Sequence, residues 1–147
     1  FRELTVQKKL EIHRFLTKGL GIPNKIRSGR VGITGTNYKP LAKANQIQKA
    51  LQDLCDLINS KRNVLEKAFI ALLLIAYIQP FEDGNKRTAR IICNALLLPN
   101  KYCPISFRTV EPEDYRYATL LFYEQNSIPS FKKIFMEQLE FSTANYF

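Results

Sequence analysis

Two apolar segments separated by one compact polar turn constrain this chain more than any other feature. From Ala68 to Ile78 no residue carries a charge or an amide side chain, and from Ala89 to Leu98 only Arg90 and Asn94 do. Each segment is long enough for a helix, and the first is apolar all round, which implies burial on every side. Between them lies Gln79-Pro80-Phe81-Glu82-Asp83-Gly84-Asn85-Lys86-Arg87-Thr88. Pro80 stops the first helix at Gln79. Gly84 lets backbone come close to a ligand, and the next helix opens with unpaired N–H groups at its positive end. That is the construction of an anion site. Ordinary turn chemistry would also use Asp-Gly-Asn. Charge this dense between two buried helices needs a partner, which favours the ligand.

A chain of 147 residues suits one domain, spanning 1–147. The formal net charge of +9 admits nucleic acid, an anionic surface or an anionic small molecule as partner. The cations are dispersed, however. The densest runs are Lys8-Lys9, Lys25 to Arg30 and Lys61-Arg62, and none interleaves basic with aromatic residues as a nucleic-acid motif would. Solvated helix faces are the expected place for most of them, and no specific nucleic-acid partner is expected. Three cysteines, Cys55, Cys93 and Cys103, lack metal spacing and cannot all pair. Cys55 and Cys93 read as small core fillers, and a reducing cytoplasmic setting is expected. Residues 68–78 are too few to span a bilayer, so no membrane partner is expected. Because the chain starts at Phe1, a missing N-terminal region is also expected.

Along the chain, Leu4, Gln7, Leu10, Ile12, Phe15 and Leu16 predict a first helix, ended by Gly19 to Pro23. The single histidine, His13, lies within it and reads as a structural residue remote from the polar turn. Arg30 to Tyr38 alternates β-branched residues with glycine and predicts a short β-hairpin. Pro40 to Asn59 predicts a helix turning Ile47, Leu51, Leu54, Leu57 and Ile58 inward, followed by the central helix from Val64 to Ile78. Pro104 to Val110 reads as extended. Glu111-Pro112-Glu113-Asp114 starts a helix with acids at its positive end, and Phe131 to Phe141 supplies the last helix. The fold class is therefore all-α, a helical bundle with one small hairpin.

The polar stretch resembles the signature of the Fic (Fic/Doc) family, His-x-Phe-x-Asp/Glu-Gly/Ala-Asn-Gly/Lys-Arg-x-x-Arg. Residues 79–90 match at every defined position but the first, where Gln79 stands in place of the histidine. The resemblance implies a Fic-type bundle that moves AMP from ATP to a Ser, Thr or Tyr hydroxyl of a target protein. It implies that the hairpin, about residues 30–40, is a flap over the active site. Its tip, Ile33, Thr34 and Gly35, would hold the target by adding it as a strand.

Roles follow from chemistry and family together. Asp83 is the candidate Mg²⁺ ligand, since Mg²⁺ takes one or two carboxylates plus phosphate oxygens. Gly84, Asn85 and Lys86 would offer backbone N–H groups to the phosphates, and the Asn85 amide a further donor. Arg87 would stabilise the leaving pyrophosphate, and Arg90 would hold the γ-phosphate. Phe81 reads as a core anchor. Tyr115 and Tyr123 share a helix face, open to either base contact or core packing. The catalytic position itself, Gln79, cannot serve as a general base, because an amide does not titrate near neutrality. Transfer is therefore expected to be impaired.

Two alternatives remain at this level. One is a nucleotide-gated binding module. The other is phosphoryl transfer of the Doc type, seen in relatives with Lys at the position of Lys86. Their usual alanine is Gly84 here, which favours AMP transfer. The family's inhibitory motif is absent from this sequence: Thr109 and Glu113 have its spacing, but Pro112 and Asp114 spoil it. An inhibitory helix would come from a missing N-terminal segment or from a separate antitoxin partner.

Overall fold

Among the described residues, six α-helices and one short 3-10 turn carry the fold: α1 (Val6–Thr17), α2 (Ala44–Ser60), α3 (Val64–Ile78), α4 (Asn85–Leu97), the turn Leu98–Asn100, α5 (Pro112–Gln125) and α6 (Pro129–Tyr146). The computed structural model describes residues 5–18, 25–33 and 35–146, with backbone alone at 15–17. No strand occurs among the described residues.

The central helix forms where the sequence expects it. Asn63 caps α3 by accepting from the Leu65 and Glu66 amides, and Glu66 lies at the positive end. Ala68, Ala71, Leu72, Leu73, Ile75 and Ile78 are all buried along it. α2, with Ile47, Leu51, Leu54, Cys55 and Ile58 buried, packs on one side of α3, and α4 packs on another. Leu57, expected to face inward, is exposed. Phe69 of α3 meets Phe131 and Phe135 of α6, and Tyr77 meets Phe122 of α5, so aromatic contacts close the bundle. Pro112 sits in the first turn of α5 with Glu113 and Asp114 beside it, as its start signal implies.

α1 departs from its expected face. Gln7 is exposed, and Leu10 and Ile12 are only half-buried. Lys9 and His13, one turn apart, are the fully buried side chains among those described on this helix, which packs against α2 and α4. Leu4 and the segment Gly19 to Pro23 lie outside the described residues, as do the side chains of Phe15 and Leu16. The basic runs also divide. Lys9 and Arg27 are fully buried, while Lys8, Lys25, Arg30 and Arg62 are not. Periodicity misses both because long cationic side chains bury only when a specific acceptor awaits them.

The expected hairpin takes irregular form where it is described. Residues 25–33 and 35–43 form no strand. Instead the Gly29 amide donates to the Ala42 carbonyl over 2.8 Å, and side chains fasten the segment to α3 and α5. The Tyr38 hydroxyl donates to the Tyr77 carbonyl at 2.7 Å, and the Thr36 hydroxyl donates to Glu124 Oε1 at 2.7 Å. Thr34 lies outside the described residues.

Candidate active site

The turn between α3 and α4 is held from every side. α3 ends on Gln79 in the left-handed region, φ 52°, with its amide donating to the Ile75 carbonyl. A glutamine with positive φ stores strain that its surroundings must over-determine. Arg27 supplies that constraint. Its guanidinium donates to the Gln79 carbonyl at 2.6 Å, the Gly29 carbonyl at 2.6 Å and the Ile78 carbonyl at 3.3 Å. A cation thus sits on the negative end of the central helix. Burial pulls its pKa down, countered by Tyr38.

The turn closes on itself through Asn85. Its Oδ1 accepts from the Phe81 amide at 2.9 Å, and its Nδ2 donates to the Phe81 carbonyl at 2.8 Å. The side-chain amide, proposed from sequence as a phosphate donor, is therefore engaged at both ends in shaping the loop. Phe81 is fully buried. His13 stacks on it with centroids 3.7 Å apart and planes 12° apart, and Nε2 lies 2.9 Å from the Asp83 carbonyl. That carbonyl can only accept, so Nε2 donates. His13 is structural, as expected, but it is not remote: it backs the loop across 70 residues of sequence. Periodicity carries no signal for that contact.

Gly84, at φ 78°, turns the chain into α4. The Thr88 amide is the first to close on the helix, donating to the Gly84 carbonyl at 3.0 Å. The amides of Asn85, Lys86 and Arg87 therefore stand ahead of the helical ladder, at the positive end of the dipole. The side chains of Asp83, Lys86 and Arg87 are exposed beside them. Asp83 Oδ1 accepts the Gly84 amide at 2.7 Å. A small cleft of about 250 Å³ is bounded by Gly32, Glu82, Asp83, Gly84, Lys86 and Arg87.

Next to it opens a larger cavity of about 540 Å³ between residues 32–33, α4, the 107–110 segment and α5. Gly32, Gln79 and Lys86 line both spaces. Lys86, Arg90 and Arg116 are the charged residues on its wall, and no carboxylate is among the lining residues. Arg90 runs between two rings, its guanidinium carbon 5.4 Å from the Phe107 centroid and 5.1 Å from that of Tyr115. Its Nε is buried and unpartnered. Tyr115 and Tyr123 both line the cavity. Tyr123 is 4% exposed, its hydroxyl donates to the Ala76 carbonyl at 3.1 Å, and its ring packs on Tyr38 and Tyr77. Burial raises its pKa, Tyr115 adds to the rise, and the nearby Gln79 amide partly offsets it. Burial raises that of Tyr115 too, and Arg90 partly offsets it.

Ile33 lines the cavity and is half-buried. Gly35 has φ 86°, which disfavours a side chain there, and the Arg116 guanidinium lies over it where a Cβ would stand. Arg116 was not singled out from sequence. Its place directly after Tyr115 is unremarkable until the fold brings α5 over Gly32, Ile33 and Gly35. Among the described residues, no group of three or more His, Cys, Asp and Glu side chains could form a metal site by itself.

The sequence profile of the Fic/DOC family matches residues 3–97, more than half of the chain. The chain belongs to the Fic/DOC family. Among its relatives is the protein adenylyltransferase fic-1 of Caenorhabditis elegans, 25% identical over 151 aligned residues. That match covers 98% of this chain and 29% of fic-1, so the chain spans under a third of that relative's length. The solved structure of C. elegans Fic-1 (residues 134–508 of that protein) superposes with a TM-score of 0.74 at 24% identity, covering 99% of this chain and 43% of that one. The Bartonella tribocorum protein BepC, solved with bound AMPPNP, superposes at 0.63 with 20% identity, covering 76% and 56%. These likenesses agree with an all-helical Fic fold. No helix among the described residues is long and apolar enough to cross a membrane.

Proposed function

We propose that this Fic domain binds a magnesium nucleoside triphosphate at the start of α4 and carries a protein adenylyltransferase site whose transfer step is slowed by Gln79. One observation carries the reading. Three backbone amides at the α4 N-terminus stand ahead of the helical ladder in the cleft that Asp83, Lys86 and Arg87 line, next to a cavity whose charged lining groups, among the described residues, are the cations Lys86, Arg90 and Arg116. An electropositive space beside free helix amides suits polyphosphate.

The donor set fits Mg²⁺ in its usual nucleotide-bound form. Asp83 Oδ1 is bonded to the Gly84 amide, and the exposed carboxylate retains acceptor capacity for a hard cation shared with phosphate oxygens. Bound there, the ion would neutralise charge building up on the phosphates. The Asn85, Lys86 and Arg87 amides would hold the phosphates, and the Arg87 fork would favour pyrophosphate departure. Arg90 would reach the γ-phosphate, with its unpartnered Nε as a donor. Tyr115 and Tyr123 would wall the nucleoside, Tyr123 through its ring rather than its committed hydroxyl. Residues 30–40, with Ile33, Thr34 and Gly35 at the tip, would form the flap that orders a target segment. An inhibitory glutamate, from another helix or an antitoxin partner, would compete for Arg90.

In transfer, a target hydroxyl oxygen bonds to the α-phosphorus, pyrophosphate leaves and the hydroxyl proton needs an acceptor. Gln79 hydrogen-bonds but cannot take it, and losing a general base slows a reaction by about 10²–10⁴-fold. This favours a second reading, a nucleotide-gated binding module with little transfer.

ATP labelled at the α- or γ-phosphate, incubated with cell extract, separates these readings. α-label on protein supports AMP transfer, and γ-label supports Doc-type phosphoryl transfer. Saturable ATP binding without label supports the binding module. Gln79→His should raise α-labelling by about 10²–10⁴-fold. No uptake of Mg-ATP by folded protein in calorimetry would remove the basis of both readings.

A further inference from the structure

One buried pair of side chains has no part in the chemistry above. Lys9 and Cys55 are each 1% exposed, and Lys9 Nζ lies 2.9 Å from Cys55 Sγ. An ammonium has three N–H donors, and burying it beside a single thiol is costly. An apolar side chain would fill the same space at less cost. Desolvation lowers the Lys9 pKa, and the bond to Cys55 works against that. The two groups can share a proton in two ways, amine beside thiol or ammonium beside thiolate, and the second makes the sulfur a nucleophile.

We propose that Lys9 and Cys55 are a peroxide-sensitive cross-linking site, in which hydrogen peroxide joins the two side chains through a nitrogen–sulfur bond. First the thiolate sulfur attacks one peroxide oxygen and the O–O bond breaks. The departing hydroxide takes a proton from the Lys9 ammonium and leaves as water, giving a Cys55 sulfenic acid beside a neutral amine. Next the amine nitrogen attacks the sulfenic sulfur and the S–O bond breaks. The hydroxyl leaves with one N–H proton as a second water. Sulfur has lost two electrons and peroxide has gained two. Condensation of sulfenic acid with a nitrogen is known chemistry of this oxidation state.

Both side chains are buried, so peroxide reaches the pair through a local opening of α1. The site does not depend on the nucleotide reading, but it acts on the same loop. His13 lies one turn beyond Lys9 on the buried face of α1 and holds the Asp83 carbonyl. The new bond would fasten α1 to α2 and keep that support in place.

The test treats the folded protein with hydrogen peroxide and maps its peptides by mass spectrometry. The expected product is the Lys9 peptide joined to the Cys55 peptide, lighter than their sum by two hydrogens and released by dithiothreitol. Lys9→Met and Cys55→Ala should each abolish it. Either substitution can disturb folding, so a second measurement uses the unaltered protein. After oxidation and unfolding in urea, Lys9 should resist an amine-reactive label and regain reactivity with dithiothreitol. Full labelling of Lys9, or Cys55 carried to sulfinic acid beside an unmodified lysine, would overturn the proposal.

Discussion

Replacing Arg27 with methionine keeps most of the buried stem and removes the fork that ties residues 27–29 to the end of α3. Three carbonyls, of Gln79, Gly29 and Ile78, lose their donors at once. Hydrogen bonds to a charged group contribute about 1.5–3 kcal/mol each, so the gross loss is roughly 5–9 kcal/mol. Part of it returns, because a buried guanidinium with no carboxylate partner carries a desolvation cost of several kcal/mol. The expected net loss is about 3–4 kcal/mol, a large share of the roughly 5–15 kcal/mol that holds a domain together. For a chain of this size that corresponds to a fall in Tm of about 6–15 °C. Urea titration followed by far-ultraviolet circular dichroism measures it directly. Arg27→Lys should recover less than half, because a single ammonium cannot reach three diverging acceptors. A loss below about 1 kcal/mol for Arg27→Met, the size of an ordinary surface change, would refute the view that this fork holds Gln79 in its strained conformation. Full recovery by lysine would show that charge at the helix end matters and the fork does not.

Asn85→Ala should cost about 1–3 kcal/mol in the same titration, since both Phe81 backbone groups lose their partner inside the protein. Asn85→Asp should be no milder, because it turns a carboxylate oxygen toward the Phe81 carbonyl. Gly84→Ala forces a side chain onto φ 78°, at about 1–2 kcal/mol, and should weaken Mg-ATP binding in calorimetry. Stability should also fall in alkali. Burial raises the folded pKa of Tyr38, Tyr115 and Tyr123 and pushes the Cys93 thiol up to about 12. Groups with raised folded pKa values keep protons that the unfolded chain releases, so their contribution is complete below about pH 9–10 and shrinks above it. Each can contribute a slope of about 1.4 kcal/mol per pH unit there. Urea midpoints that do not move between pH 8 and 11 would contradict the burial of these rings.

The helical order, the central position of α3 and the family are legible in the amino-acid string, because these rest on local signals. An all-apolar run can only be buried, Asn63 and Pro112 announce helix starts, and the residues of the signature lie next to one another. That position 79 holds glutamine is equally plain, since it is a matter of spelling. What tertiary structure decided is which polar groups the core accepts. Arg27 looked like part of a solvated basic run, His13 like a bystander and Lys9 like a surface charge. Each is buried because an acceptor from a distant segment waits for it: the carbonyls ending α3, the Asp83 carbonyl, the Cys55 sulfur. Hydrophobic periodicity reports which face of an element avoids water. It does not report a hydrogen bond formed across 46 to 70 residues, and those made by Arg27 and His13 hold the loop on which the proposed chemistry depends.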